Sequence, residues 1–298
     1  GSYLSMRAKQ VWRISPDGKV RDTFRKLRYV FEMKEDYFFE QYSVVADGVK
    51  SEMNTYKAWC MEYDNLYRKI PALPFSNGWM AMQLSDRLPE GTVLHLGILN
   101  TLRNWNFFKC SAKVYGYANT GGFGIDGGVS SLLGASLAEP EKLYFGAVGD
   151  LAFFYDMNAL GNRQLGSNVR LLLINNGVGT EFKNYNHKAA KFGDDADAYM
   201  AAAGHYGNKS TKLVRHYAED LGFEYMSASS KEEFLANVER WLLPELTDRP
   251  MLFEVFTDSK DESDSLKVLY NLAKDPKSMA KNIVRGMIGE KGVKAAKK

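Results

Sequence analysis

Stretches that are almost wholly apolar alternate, along residues 75–270, with stretches whose apolar positions recur every three or four residues. The first kind predicts buried strands and the second predicts helices with one apolar face. The predicted strands are TVLHLGI (92–98), KLYFGAVGD (142–150), VRLLLINN (169–176) and MLFEVFTD (251–258). The predicted helices are SNGWMAMQLSDRL (76–88), SSLLGASLA (130–138), LAFFYDMNAL (151–160), TKLVRHYAEDLG (211–222), SKEEFLANVERWLL (230–243) and one from about Asp264. The pattern predicts an α/β fold, a three-layer αβα sandwich with a mainly parallel sheet.

The first 70 residues follow a different pattern. The stretch VWRISPDGKVRDTF (11–24) predicts a strand, a turn at residues 16–18 and a second strand, and FRKLRYVFEM (24–33) has helical spacing. Apolar positions at steps of three and four from about Ser51 to Tyr67 predict a helix that approaches the main domain. Residues 1–50 are too few for a domain of this kind, so we expect the main domain to occupy 51–270 and a basic helical or disordered tail to occupy 271–298.

Composition and charge exclude several classes of function. The 298 residues include 39 basic and 36 acidic ones, a net charge of +3, so we expect no nucleic-acid partner. Cys60 and Cys110 stand far apart with no cluster of metal ligands, which predicts reduced thiols in a cytoplasmic protein. No run of about 18 apolar residues occurs, so we expect no membrane partner.

A glycine motif raises the first candidate chemistry. Gly122, Gly124 and Gly127 have the spacing G-x-G-x-x-G that is typical of dinucleotide-binding turns. Only a weak strand, VYGYANTGG, precedes the motif, although Asp150 stands roughly where such a site needs an acidic residue. A nicotinamide-dependent oxidoreductase is therefore an alternative that rests on these glycines alone.

Two polar pairs stand where neighbouring predicted strands end. Gly149-Asp150 closes one strand and Asn175-Asn176 closes the next, with one predicted helix between them. A right-handed strand–helix–strand crossover returns the chain to the same sheet edge, so the Asp150 carboxylate and the Asn176 amide oxygen are expected to converge. With a backbone carbonyl from residues 177–179, they offer three oxygen ligands to Mg²⁺ or Ca²⁺.

The helix that begins at Leu151 adds an anion site at the same point, because its free N–H groups and positive dipole end face the strand tips. We expect Asp150 to be the N-cap of this helix. The alternative is purely structural: Asp150 only caps the helix and residues 175–177 only form a turn. The occurrence of both motifs on successive strands favours the metal site.

The stretch GDLAFFYDMNALGNRQLGSNVRLLLINNGVG (149–179) resembles the G-D-x…N-N signature of thiamine-diphosphate enzymes. Together with NTGGFGIDGGVSSLLGASL (119–137) and LFEVFTDSKDESDSL (252–266), it is most similar to 2-succinyl-5-enolpyruvyl-6-hydroxy-3-cyclohexene-1-carboxylate (SEPHCHC) synthases. The resemblance implies the diphosphate-binding, or PP-type, domain of the thiamine-diphosphate-binding fold. It also implies that residues 1–50 are the end of a central domain and a linker.

The resemblance implies thiamine diphosphate and Mg²⁺ as cofactors and assigns residues to them. Asp150 and Asn176 would supply side-chain ligands to the metal, and Val178 a carbonyl ligand. Ile125 would wedge the cofactor into a bent shape. The other implied cofactor-binding residues are Thr101, Asn119, Gly124, Gly149 and Leu151.

Three departures from the family pattern concern the substrate. Thr120 stands where the carboligases have an arginine, and Trp105 stands at a second arginine position, with Arg103 two residues away. Glu181 replaces an aliphatic residue. Arginine binds substrate carboxylates through bidentate hydrogen bonds, which threonine and tryptophan cannot make. The usual substrates of the family are therefore not expected here. Arg103, Thr120 and Glu181 are the candidate substrate residues.

In this family a glutamate from a separate pyrimidine-binding domain completes the site, and 298 residues are too few for all the domains. We therefore expect a C-terminal fragment of a longer 2-oxo acid decarboxylase or carboligase that carries no catalytic glutamate of its own. Its expected partners are a 2-oxo acid and a pyrimidine-binding domain of the same protein or of a neighbouring subunit, in a homodimer or homotetramer. The alternative is a non-catalytic module that keeps the fold for assembly or for cofactor-gated interaction.

Overall fold

The computed structural model describes residues 7–46, 54–120, 124–185, 187–199 and 210–273. The chain divides into two compact units, Gly1–Tyr63 and Asp64–Lys298. This division falls within a helix, Asn54–Arg68, whereas the sequence placed the start of the main domain at residue 51. The predicted tail at 271–298 lies outside the described residues except for its first three.

The first unit contains a parallel pair of strands, β1 (Val11–Ile14) and β2 (Leu27–Phe31), and the helix α1 (Glu35–Ala46). Helix α2 (Asn54–Arg68) begins in this unit, close to the predicted helix at 51–67. Two predictions were wrong here: residues 19–24 form no strand, and the stretch with helical spacing contains β2.

Side-chain packing and a turn explain why residues 27–31 form a strand. The Trp12 ring packs against Tyr29 and Phe31, with centroids 5.6 and 5.7 Å apart. The Asp22 carboxylate accepts hydrogen bonds from the backbone N–H groups of Lys26 and Leu27, at 2.8 and 3.0 Å, and so fixes the turn that leads into β2. Aromatic contacts across a strand pair thus override a short helical pattern.

The second unit is built on a six-stranded sheet in the order β4-β3-β5-β6-β8-β7, with every neighbouring pair parallel. The strands are β3 (Val93–Leu96), β4 (Tyr115–Ala118), β5 (Tyr144–Gly149), β6 (Val169–Asn175), β7 (Glu224–Ala228) and β8 (Met251–Phe256). The predicted α/β sandwich with a parallel sheet is therefore confirmed. The four apolar strands were predicted, and the edge strand β4 falls within the weak strand VYGYANTGG, whereas the edge strand β7 was not predicted.

Helices cover both faces of this sheet. They are α3 (Asn77–Leu84), α4 (Asn100–Trp105), α5 (Gly128–Ala138), α6 (Asp150–Asp156), α7 (Leu213–Asp220), α8 (Lys231–Trp241) and α9 (Ser259–Asn271). Short 3₁₀ segments follow at Met157–Gly161, Thr180–Lys183 and Lys188–Tyr199. None of the helices within the described residues is long and apolar enough to cross a membrane.

Two hydrophobic clusters mark the two sides of the sheet. One includes Trp79, Phe145, Phe234, Trp241 and Phe253, and the other includes Val129, Phe153, Leu171, Val214 and Leu252. Alternate residues of the strands enter each cluster, as expected for a sheet that is covered on both faces. The core accordingly lies on either side of β5, β6 and β8.

Helix α9 starts earlier than the sequence predicted. Asp258 caps it, with its side chain accepting a hydrogen bond from the Lys260 N–H at 2.8 Å, so the helix begins at Ser259 rather than at about Asp264. Ser76 caps α3 in the same way and accepts from the Trp79 N–H at 3.2 Å. The earlier start places Glu262 inside α9, which matters for the site below.

Candidate functional site

The carboxylate of Asp150 joins the tips of β5 and β6. Asp150 follows Gly149, which pairs with Ile174 of β6, and its side chain is 2% exposed. Oδ2 accepts hydrogen bonds from the backbone N–H groups of Asn176 at 2.9 Å and Gly177 at 2.6 Å, and Oδ1 accepts from Leu151 N–H at 2.7 Å. The two polar pairs therefore meet at one sheet edge.

The details differ from the expected arrangement in two ways. The N-cap residue of α6 is Gly149, and Asp150 is the first helical residue, so the predicted N-cap was wrong by one position. The Asn176 residue meets the carboxylate through its backbone N–H, while its side-chain Oδ1 accepts from the Val178 N–H at 3.2 Å. Asp150 thus holds the turn at residues 176–178 in place.

The chemistry of this edge fits a hard divalent cation. The predicted ligands are a carboxylate, an amide oxygen and a backbone carbonyl, which are the oxygen donors that Mg²⁺ prefers. A Cβ atom added at Gly149 would meet no atom within 4 Å, so there is open space at the tip of β5. Among the described residues, no three His, Cys, Asp or Glu side chains form a metal-binding group. The predicted site has only one residue of those four types, so the ligand set remains a prediction.

A second carboxylate, that of Glu262, lies near this edge of the sheet, and the sequence analysis did not predict it. Glu262 of α9 accepts hydrogen bonds from the Thr257 hydroxyl at 2.8 Å and from the Asn77 N–H at 3.0 and 3.1 Å. Its burial raises its pKa to about 7, and the charge of Asp150 acts in the same direction. The sequence does indicate that this residue is buried, because Glu262 precedes the buried Leu266 and Leu269 by four and seven residues and so shares their face of the helix.

Asn119 ties together the two ends of the glycine-rich loop. Its Nδ2 donates to the Gly127 carbonyl at 2.7 Å and to the Ser131 hydroxyl at 2.9 Å, while its Oδ1 lies 3.2 Å from His95 Nε2. His95 Nδ1 lies 3.1 Å from the Gly128 carbonyl, and burial lowers the pKa of this imidazole. His95 was also missed, although a histidine within the apolar stretch TVLHLGI is a visible signal.

The remaining loop positions are placed as follows. Gly122, on which the dinucleotide alternative depends, lies outside the described residues. Gly124 and Ile125 are half-buried, and Thr120 is exposed. A cavity of about 500 Å³ between β4 and α5 is lined by Asn119, His95 and three tyrosines among others, but not by Asp150. We place the candidate site at the strand tips, where the predicted ligands are, rather than in this cavity.

Thr101 faces the protein interior. It is 3% exposed, and its hydroxyl accepts a hydrogen bond from Asn77 Nδ2 at 3.0 Å. Asn77 is the residue whose N–H binds Glu262, so Thr101 belongs to the same buried polar group. Trp105, which stands at a family arginine position, is buried in the core.

Two of the candidate substrate residues bind each other. Arg103 Nη1 donates to Glu181 Oε2 in an ion pair, and the Arg103 and Glu181 side chains are 37% and 20% exposed. This hydrogen bond raises the pKa of the Arg103 guanidinium. Thr120, the third candidate, has no contact with the pair in the described hydrogen bonds and lies on the separate glycine-rich loop.

Comparison with known proteins found relatives but no matching family model. The chain is 30% identical over 270 residues to the SEPHCHC synthase of Bacteroides fragilis, covering 90% of this chain and 46% of that protein. It is 32% identical over 265 residues to the enzyme of Phocaeicola vulgatus (88% and 45%), and 30% identical over 268 residues to that of Bacteroides thetaiotaomicron (89% and 46%).

The chain spans about half the length of these curated relatives. The matched part of this chain nevertheless includes most of its residues, so the similarity extends well beyond the short motifs at the strand tips. The predicted resemblance to SEPHCHC synthases, a family of thiamine-diphosphate-dependent enzymes, is therefore confirmed.

Proposed function

We propose that this chain is the diphosphate- and Mg²⁺-binding part of a thiamine-diphosphate-dependent 2-oxo acid decarboxylase or carboligase. The observation that carries the proposal is the Asp150 carboxylate at the tip of β5, hydrogen-bonded to the turn that follows β6. Open α/β sheets bind ligands at the carboxyl ends of their strands, which is where this carboxylate lies. The similarity to SEPHCHC synthases supports the same assignment.

The residues of the turn would hold the metal and the diphosphate. Asp150, the Asn176 side chain and the Val178 carbonyl would bind Mg²⁺, and the backbone near Gly149 and Leu151 would contact the diphosphate. Thiamine diphosphate, when bound, supplies the electron sink that the decarboxylation of a 2-oxo acid requires. The implied positions Thr101, Asn119, Gly124 and Ile125 would complete the cofactor site.

The residues of this chain would hold the oxygen ligands of the metal in fixed positions. Asp150 is buried and fixed by three backbone N–H groups, so little side-chain freedom is lost when a cation binds to it. The Asn176 Oδ1 already accepts from Val178 N–H, which keeps the amide over the turn. Such preorganisation lowers the cost of binding a cation together with an anionic ligand.

The missing functions would come from outside these residues. We propose that a pyrimidine-binding domain, from the same protein or a neighbouring subunit, supplies the glutamate, and that the assembly is a homodimer or homotetramer. A cytoplasmic location and a 2-oxo acid substrate belong to the same proposal. The isolated chain would then bind the diphosphate end of the cofactor and show no turnover.

Calorimetric titration of the chain with thiamine diphosphate and Mg²⁺ tests the proposal. Asp150→Ala removes a charged metal ligand and should weaken Mg²⁺-dependent cofactor binding about 100-fold, or about 2.7 kcal/mol. Asp22→Ala is a matched control, because Asp22 also binds two backbone N–H groups but lies in the first unit. Equal affinity of the Asp150 variant and the wild type would refute the assignment, provided that both have the same thermal unfolding profile without ligand.

The Arg103–Glu181 pair favours a second candidate, a module that binds the cofactor without catalysis. Arg103 is a candidate substrate residue, and Glu181 already binds its guanidinium group. Exchange of the cofactor C2 proton in the full-length protein distinguishes the two: exchange indicates an enzyme, and binding without exchange indicates a module. The nicotinamide alternative rests on Gly122, Gly124 and Gly127 alone, and Gly122 lies outside the described residues. Saturable binding of NADH in a fluorescence titration would revive it.

A further inference from the structure

Two loops are joined across the end of β5. In the sheet, β5 lies between β3 and β6, and Asp150 follows it directly. Arg103 lies in α4, which follows β3, and Glu181 lies in the 3₁₀ segment that follows β6. Their ion pair therefore connects the strands on both sides of β5, beside the candidate cofactor site.

The carboxylate of Glu181 is held by more than the arginine. Asn184 Nδ2 donates to Glu181 Oε2 at 3.1 Å. Arg103 and Asn184 thus converge on one oxygen, so the Glu181 carboxylate has a fixed position.

The basic residues of both loops are already paired with acids. Segments 97–105 and 177–185 contain one arginine, Arg103, and one lysine, Lys183. Lys183 Nζ binds Asp197 and lies 3.1 Å from Asp194 Oδ1. Within these two segments, each positive side chain therefore already has a carboxylate partner inside the protein.

We infer that Glu181 occupies Arg103 as an internal carboxylate and thereby selects 2-oxo acids that carry a single carboxylate and an uncharged remainder. A second carboxylate on the substrate would have to displace Glu181 from Arg103, and it would meet the negative charge of Glu181 in a half-buried place. The reaction in this inference rests on the proposed function, whereas the charge preference rests only on the pair. Glu181 is thus a residue that determines specificity.

Binding of two small probes to the cofactor-free chain tests the preference. 2-Oxobutyrate carries one carboxylate and 2-oxoglutarate carries two, and calorimetry gives the ratio of their affinities. Glu181→Gln removes the negative charge but keeps the shape, so it should free Arg103 for the second carboxylate and raise the relative affinity for 2-oxoglutarate about tenfold. The double variant Glu181→Gln/Arg103→Gln has no free arginine and should show a lower ratio than Glu181→Gln.

A control of the same kind is present on the surface. Arg87 and Glu239 form another arginine–glutamate pair, so Glu239→Gln also leaves an arginine without its carboxylate but should not change the ratio. Arg103→Gln alone leaves the Glu181 charge in place and should not raise the ratio either. This variant keeps the test decisive if Glu181→Gln unfolds, which a thermal unfolding profile would reveal.

Three results would overturn the inference: a wild-type protein that prefers 2-oxoglutarate, no increase in the ratio for Glu181→Gln, or an increase in the ratio for Arg103→Gln. A double variant whose ratio equals that of Glu181→Gln would overturn the role of Arg103 as well. Titration of the same proteins with thiamine diphosphate and Mg²⁺ judges the proposed function separately. Cofactor binding without a change in probe preference would reject the role of Glu181 alone. A change in probe preference without cofactor binding would reject the proposed function alone.

Discussion

The buried carboxyl group of Glu262 makes the stability of this protein depend on pH. Its folded-state pKa of about 7 lies above the ordinary value of 4.5, because burial penalises the charged form. The folded protein therefore binds this proton more tightly than the unfolded chain does. The stabilising effect is complete below about pH 4.5 and is lost as the pH rises through 7, since the folded protein must then hold a buried charge.

The size of the effect follows from the difference between the two pKa values. A shift from 4.5 to about 7 corresponds to roughly 3 kcal/mol of unfolding free energy, at about 1.4 kcal/mol per pH unit. Glu262→Gln cannot ionise and keeps an oxygen that can accept from the Thr257 hydroxyl and the Asn77 N–H. Relative to the wild type, this variant should gain about 3 kcal/mol between pH 4.5 and pH 8.

Urea unfolding of both proteins at several pH values, followed by circular dichroism, measures this difference. Glu90→Gln is a suitable control, because Glu90 is an exposed partner of Lys113 and its replacement should leave the pH dependence close to that of the wild type. A free-energy difference between Glu262→Gln and the wild type that stays constant from pH 4.5 to 8 would refute the argument. It would mean that burial does not shift the titration of this group.

Three further predictions concern the backbone and the core, each measured by urea unfolding. Leu99 has a φ of 70°, which glycine adopts more easily than other residues, so Leu99→Gly should be about 1 kcal/mol more stable than Leu99→Ala. A Leu99→Ala variant that is the more stable of the two would show that the backbone is not strained here. Gly146→Ala would press a methyl group onto Leu132 and should cost about 1–3 kcal/mol, whereas Gly134→Ala, which meets open space in a helix, should stabilise by about 0.5–1 kcal/mol. Trp241→Ala should cost about 3–5 kcal/mol, because its fully buried ring packs on Phe145, and a loss below 1 kcal/mol would show that the core closes around the gap.

The central strands could be predicted because each is buried on both faces. In β6, all seven residues from Val169 to Asn175 are buried, and the sequence is correspondingly apolar apart from Arg170 and Asn175. The edge strands give no such signal: β4 is largely exposed, and β7 mixes buried and exposed positions. An edge strand has one neighbour and less cover, so its composition is close to that of a loop.

The position of the candidate site could be predicted more readily than the hydrogen bonds within it. The meeting of Asp150 and Asn176 follows from the right-handed crossover between neighbouring parallel strands, which depends on topology alone. The bonds themselves depend on side-chain rotamers and on the turn, so the backbone N–H groups that bind the carboxylate could not be predicted. The Arg103–Glu181 pair links residues of two separate loops, so no local pattern could have indicated it.

Three carboxyl groups are buried among the described residues of the second unit, and they differ in a way that bears on where a cation would bind. Glu254 accepts from the Tyr225 hydroxyl and from Asn175 Nδ2, each at 2.6 Å, and burial raises its pKa, as it does for Glu262. Asp150 instead accepts from three backbone N–H groups, two of them in the turn after β6. It is also the one of these three that directly follows the end of a strand, where open α/β sheets bind ligands, whereas Glu254 lies within β8 and Glu262 within α9. We therefore propose Asp150, rather than either glutamate, as the ligand of a cation.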